Sequence, residues 1–112
     1  MRIRKERVSR GDAHLEAFAI KLNDYINSIL GRDLVIDVYD LGEIKIHLTP
    51  KITYTLILDR LPRQILYCKK GEVGKKDKDL FHIDDFSFSD SSAKSIAMAL
   101  KEDSNIKDIS LR

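Results

Sequence analysis

One cysteine, Cys68, is all the thiol this 112-residue chain contains, and there is no tryptophan. A lone cysteine forms no internal disulfide and, without others beside it, no structural zinc site of the usual kind. Set in the apolar run Ile65-Leu66-Tyr67-Cys68, it reads as a small core residue rather than a nucleophile. Long hydrophobic runs are missing too. No stretch reaches the roughly 18 apolar residues that a bilayer-spanning helix requires. The opening Met1-Arg-Ile-Arg-Lys-Glu-Arg-Val8 lacks the apolar segment of a secretory signal, so a soluble, cytoplasmic protein without membrane association is expected. Charge of one sign is not in excess either. The formal net charge is +2, too balanced to imply a nucleic-acid partner by itself.

What is present is a globular composition: 43% hydrophobic and 34% charged residues, enough for one modest core under a heavily charged surface. The length fits one domain, read as residues 12–112 behind a basic arm at 1–11. Prolines (two) and glycines (five) are few, and they fall between periodic segments, where they act as punctuation.

The stretch from Leu34 to Lys70 carries the strongest pattern. Leu34, Ile36 and Val38 alternate with Val35, Asp37 and Tyr39, then Ile44, Ile46 and Leu48 with Glu43, Lys45 and His47. A two-residue loop at Leu41-Gly42 would put Val38 opposite Lys45 and mix the faces. A three-residue loop with Gly42 in the left-handed bulge position instead pairs Val38 with Ile44, Ile36 with Ile46, and Asp37 with Lys45. After a turn at Thr49-Pro50-Lys51, a third strand alternates Ile52, Tyr54, Leu56 and Leu58 with Thr53, Thr55 and Ile57. A fourth places Leu66 and Cys68 on the first face and Ile65 and Tyr67 on the second.

Before this meander, Leu15, Phe18, Ala19, Leu22, Ile26 and Ile29 mark one face of a helix, with Asp12 as N-cap and Gly31 as C-cap. After it, Lys69 to Asp79 shows no periodicity and reads as a mobile loop, and Leu80 to Ser89 reads as a strand or kinked pair of strands. Ser89 or Asp90 can cap a second helix whose buried stripe is Ala93, Ile96, Ala97 and Leu100. Asn105 would turn the chain into a last strand marked by Ile106, Ile109 and Leu111. The expected fold is therefore α+β: a four-stranded antiparallel meander, an N-terminal helix packed on one face, a second helix near the C-terminus and a short final strand.

Such a sheet has one aliphatic face for the helices and one mixed face. The second carries Val35, Tyr39, Ile57, Ile65 and Tyr67 among Asp37, Glu43, Lys45, His47, Thr53 and Thr55. A face too polar for a core and more apolar than water requires is the pattern of a partner-binding surface. The expected function is docking onto a protein partner, of inhibitor, immunity, adaptor or chaperone type, without cofactor or metal and without enzymatic activity; homodimerisation through this face or an edge strand is a further possibility.

Three resemblances add alternatives. Glu43-Ile-Lys45 on a strand, with Asp37 on its hairpin partner and Glu16 earlier, resembles the acidic Glu-x-Lys constellation of restriction-type nuclease cores. That resemblance implies Mg²⁺ held by Asp37 and Glu43, with Lys45 on the attacked phosphate. Alternating charges on a wet strand face produce the same pattern as ordinary ion pairs. The order of helix, strands and an Ala-rich final helix opened by Ala93-Lys94 is similar to double-stranded RNA-binding domains, although Ser91-Ser92 and one lysine stand where that family has a lysine cluster. For nucleic acid, the candidate contacts are Arg2, Arg4, Lys5 and Arg7 of the arm and Lys69, Lys70, Lys75, Lys76 and Lys78 of the loop. Ser92 to Leu111 is similar to one helix and strand of a leucine-rich repeat, and one copy cannot form a solenoid. No Walker spacing follows the glycines. His14, His47 and His82 lie on different elements and suggest no catalytic triad.

Overall fold

A computed structural model describes the backbone of residues 2–6, 13–39 and 42–110 and the side chains of residues 14–39 and 42–104. The chain is α+β. Its elements are β1 (Arg2–Glu6), α1 (Ala13–Leu30), β2 (Val35–Tyr39), β3 (Glu43–Thr49), β4 (Ile52–Asp59), β5 (Ile65–Glu72), β6 (Lys78–Ile83) and α2 (Asp90–Ser110). The sheet runs in sequence order, β1-β2-β3-β4-β5-β6. β2 to β6 form an antiparallel meander, and β1 adds parallel to β2.

The hairpin register follows from Gly42 as the alternation requires. Val38 pairs with Ile44, Ile36 with Ile46 and Asp37 with Lys45. Gly42 sits at φ 79, and a Cβ there would lie 3.2 Å from the Leu58 carbonyl oxygen, whose residue donates its own N–H to the Gly42 carbonyl. Only glycine meets both conditions without strain.

Three expectations need correction. The segment from Lys69 to Asp79 is a hairpin rather than a mobile loop: β5 runs on to Glu72 beside β4, and β6 begins at Lys78. β4 is long enough to keep pairing through Lys70, Gly71 and Glu72, and Gly74 at φ 84 turns the chain. Backbone pairing overrides the weak side-chain pattern there. The last strand expected at Ile106 and Ile109 does not form, because α2 continues through Ser110. Residues 90–110 contain no glycine or proline to stop it, and the spacing of three between Ile106 and Ile109 suits a helix, since a strand would turn them to opposite faces. Residues 2–6, assigned to a basic arm, form β1 along the free edge of β2. A short, Arg- and Lys-rich edge strand is a common way to close a sheet without inviting further pairing. Asp12, Leu41 and Leu111 lie outside the described residues.

Two of the expected helix caps, Gly31 and Ser89, fall where the sequence puts them. The Gly31 N–H donates to the Asn27 carbonyl at 2.9 Å with Gly31 at φ 71. Ser89 caps α2, its hydroxyl accepting the Ser92 N–H at 3.2 Å. Both helices cover one face of the sheet. Leu15, Phe18, Leu22 and Ile26 of α1 and Ala93, Ile96 and Leu100 of α2 share a core with Ile36, Ile46, Leu56 and Leu66. Burying each large aliphatic side chain there contributes about 1.5–3 kcal/mol. The connection from β6 to α2 is pinned by Phe86 and Phe88, whose rings meet Phe18 edge-on at 5.2 and 5.7 Å. Its backbone is tied to the loop before β5, since Gln64 Nε2 donates to the Phe86 carbonyl at 2.7 Å.

Candidate docking face of the sheet

The face opposite the helices is built by cross-strand pairing into three rows. One runs Val35, His47, Thr53 and Gly71; the next Asp37, Lys45, Thr55, Lys69 and Asp79; the third Tyr39, Glu43, Ile57, Tyr67 and His82. The first two rows are largely polar and the third is aromatic and apolar. Val35, Tyr39, Ile57 and Ile65 are half-buried and Tyr67 is exposed, so none of the five residues expected to bind a partner enters the core. Lys45 places its ammonium 5.5 Å from the centre of the Tyr39 ring, and the Tyr67 and His82 rings lie 6.1 Å apart, tilted. A bulge at Leu80 shifts the β5–β6 register and keeps Asp79 and His82 on the same face. Beside it lies a depression of about 600 Å³ lined by Ile57, Tyr67, Leu80, Phe81 and His82 together with Lys69 and Asp79.

The acidic and basic trio suggested by a nuclease core is brought to this face. Asp37 and Lys45 are direct cross-strand partners, and Glu43 stands opposite Tyr39. Asp37 is nonetheless buried, and its Oδ2 accepts a hydrogen bond from His47 Nε2 at 2.8 Å. Among the described residues no group of three or more His, Cys, Asp or Glu side chains is placed to hold a metal ion. Of the lysines expected to meet nucleic acid, Lys69, Lys75, Lys76 and Lys78 are exposed at the β5–β6 hairpin, but Lys70 is not available. It points to the helical side, buried, with its ammonium 2.9 Å from Asp103 Oδ2. Arg2, Arg4 and Lys5 lie in β1, and Arg7 lies outside the described residues.

What residue-by-residue reading missed is a hydrogen-bonded series across three strands. Besides Asp37, His47 meets Thr53, with Nδ1 and Oγ1 3.2 Å apart. The signal was within reach: once Gly42 sets the first hairpin, His47 lies diagonal to Asp37, and one further turn at Pro50 sets it opposite Thr53. A groove of about 470 Å³ opens beside His47, lined also by Arg32, Val35 and Thr49.

A second polar cluster lies under α2. The Tyr54 hydroxyl donates to Asp103 Oδ2 at 2.6 Å, and Lys70 shares that carboxylate. Burial, then the hydrogen bond and charge of Asp103, raise the Tyr54 pKa well above the phenol range. Burial, with Asp103 nearby, pushes the Cys68 thiol up to about 12. At neutral pH that sulfur is an un-ionised, 1% exposed core atom and no nucleophile.

Among the described residues no helix is long and apolar enough to cross a membrane. No protein-family model, curated protein or solved structure matches the chain.

Proposed function

We propose that the protein is a small binding module that docks onto a protein partner through the open face of its sheet. One observation carries the reading. The helices cover one face of the sheet, while the other presents Tyr39, Ile57, Ile65 and Tyr67 at its surface within a frame of charges. Aromatic anchors surrounded by polar groups are the usual anatomy of an interface centre and rim. Tyr39 and Tyr67 are the anchors, and Val35, Ile57 and Ile65 supply the apolar contact. The absence of cofactor and of enzymatic chemistry belongs to this reading, as does an inhibitor, immunity, adaptor or chaperone role.

The test is affinity capture from the native host with immobilised protein, comparing wild type with the double variant Tyr39→Ala/Tyr67→Ala after nuclease treatment. A protein captured by the first and lost with the second supports docking through this face. Equal capture by both would place the interface elsewhere.

The lysines favour a second reading. Lys69, Lys75, Lys76 and Lys78 are exposed along one hairpin, and Lys51 lies beside its tip, its carbonyl accepting the Val73 N–H at 3.0 Å. Such a basic edge suits nucleic-acid phosphates, and its affinity for duplex RNA would fall steeply with added salt. Acidic Asp77 and Asp79 interrupt the edge, which is why the protein partner is preferred.

A further inference from the structure

The unexplained feature of the open face is its most deeply set charge. The Asp37 side chain is 4% exposed, yet it lies on the face away from the helices, where His47 at 32% exposure covers it. An ionised carboxylate can only accept, so the 2.8 Å contact requires His47 Nε2 to carry hydrogen. In the neutral imidazole Nδ1 is then an acceptor, and the contact of 3.2 Å requires the Thr53 hydroxyl to donate inward to it. When His47 takes up a second proton, Nδ1 becomes a donor. The Thr53 oxygen must then accept, and its hydrogen must turn away from the ring.

We propose that His47 is a proton-operated switch in the first row of the open face. In the neutral state the His47 ring is engaged at both nitrogens, by Asp37 and Thr53, and offers an occupant of the face little. In the protonated state the face gains one positive charge and one outward hydroxyl donor. The charges around His47 are mostly cationic, including Arg2 and Arg4 of β1 in register with Val35 and Asp37, so without an added anion they oppose its second proton and make the protonated face strongly positive. Lys45 lies two residues along β3 on the same face, Thr53 and Thr55 lie on β4, Val35 lies opposite on β2, and Arg32 reaches the adjoining groove from the loop before β2. The negative charges are Asp37 itself and Asp33 in that loop, both of which have further partners. The occupant best matched to the protonated state presents a carboxylate or carbonyl over Thr53 and Lys45.

This inference deepens the docking reading and rests on it. A carboxylate brought over Thr53 and Lys45 adds negative charge beside His47, so docking of such an occupant favours the imidazolium. Binding then takes up a proton and tightens as pH falls, by up to about tenfold per pH unit.

The experiment is ¹⁵N NMR of the histidine rings of the intact protein between pH 8 and pH 5, with Thr53→Val alongside. The expected result is a neutral His47 in the Nε2–H tautomer, Nδ1 in the pyridine-type range, and a single protonation that moves the Thr53 and Thr55 amide signals. In Thr53→Val the tautomer persists because Asp37 holds it, while the β4 response shrinks by more than half. An Nδ1–H tautomer, or a β4 response unchanged in Thr53→Val, overturns the switch whatever the partner does. If the switch behaves as expected but the Tyr39→Ala/Tyr67→Ala variant binds as wild type, the docking reading fails and the switch remains.

Discussion

The two faces of this sheet differ in what their polar groups do. Under the helices, the polar side chains Tyr54, Lys70 and Asp103 close on one another and fasten α2 to β4 and β5. On the open face, Asp37, His47 and Thr53 are joined in series, yet among the described residues no helix lies over them. The first arrangement explains stability. The second ties β2, β3 and β4 together from the side that we propose as the working surface.

The comparison can be broken by substitution. Leu56→Ala, at a side chain with no exposure under the helices, leaves a cavity and is expected to cost about 2–5 kcal/mol in urea unfolding. Tyr54→Phe removes only an oxygen, but it leaves the Asp103 carboxylate short of a donor, and the expected loss is about 1–3 kcal/mol. A loss as small as that of an exposed substitution would mean that the buried cluster does not fasten α2.

Alkaline pH sharpens the same contrast. Tyr54 and Cys68 both ionise at higher pH when folded than when unfolded. Their contribution is complete at neutral pH and is lost as pH rises, because above the ordinary thiol and phenol ranges the unfolded chain binds fewer protons than the folded one. For each group, stability should fall by about 1.4 kcal/mol per pH unit, for the thiol between pH about 9 and about 12. Cys68→Ala should flatten the thermal-midpoint profile between pH 9 and 10, before Tyr54 contributes; an unchanged slope there would contradict the assignment. The smallest effect belongs to the open face. Tyr39→Ala/Tyr67→Ala should shift stability by no more than about 1 kcal/mol, within a few degrees of thermal midpoint.

The antiparallel meander was legible because its side chains alternate strictly and a single glycine fixes the register. Leu34 through Leu66 obey a period of two with one aliphatic face, and Gly42 leaves one pairing that keeps the faces apart. Legibility ends where pairing is carried by the backbone. Arg2–Glu6 has no alternating apolar pattern and becomes a strand because β2 offers an edge; Lys70 to Glu72 become strand because β4 is long. The end of α2 was misread for the opposite reason: only Ile109 and Leu111 are spaced as in a strand, the three-residue step from Ile106 to Ile109 is helical, and Asn105 does not stop the helix. The open-face residues were placed correctly as a set, since the register fixes the face. The pairing of Lys70 with Asp103 was not legible, because nothing local links β5 to a helix thirty-odd residues later.

The most direct test of the open face as the working surface is quantitative partner binding by wild type and the Tyr39→Ala/Tyr67→Ala variant, with thermal midpoints recorded on the same samples. Loss of binding at an unchanged midpoint is the predicted result. Unfolding of the double variant would show the face to be core, and unchanged binding with an intact fold would show that the partner docks elsewhere.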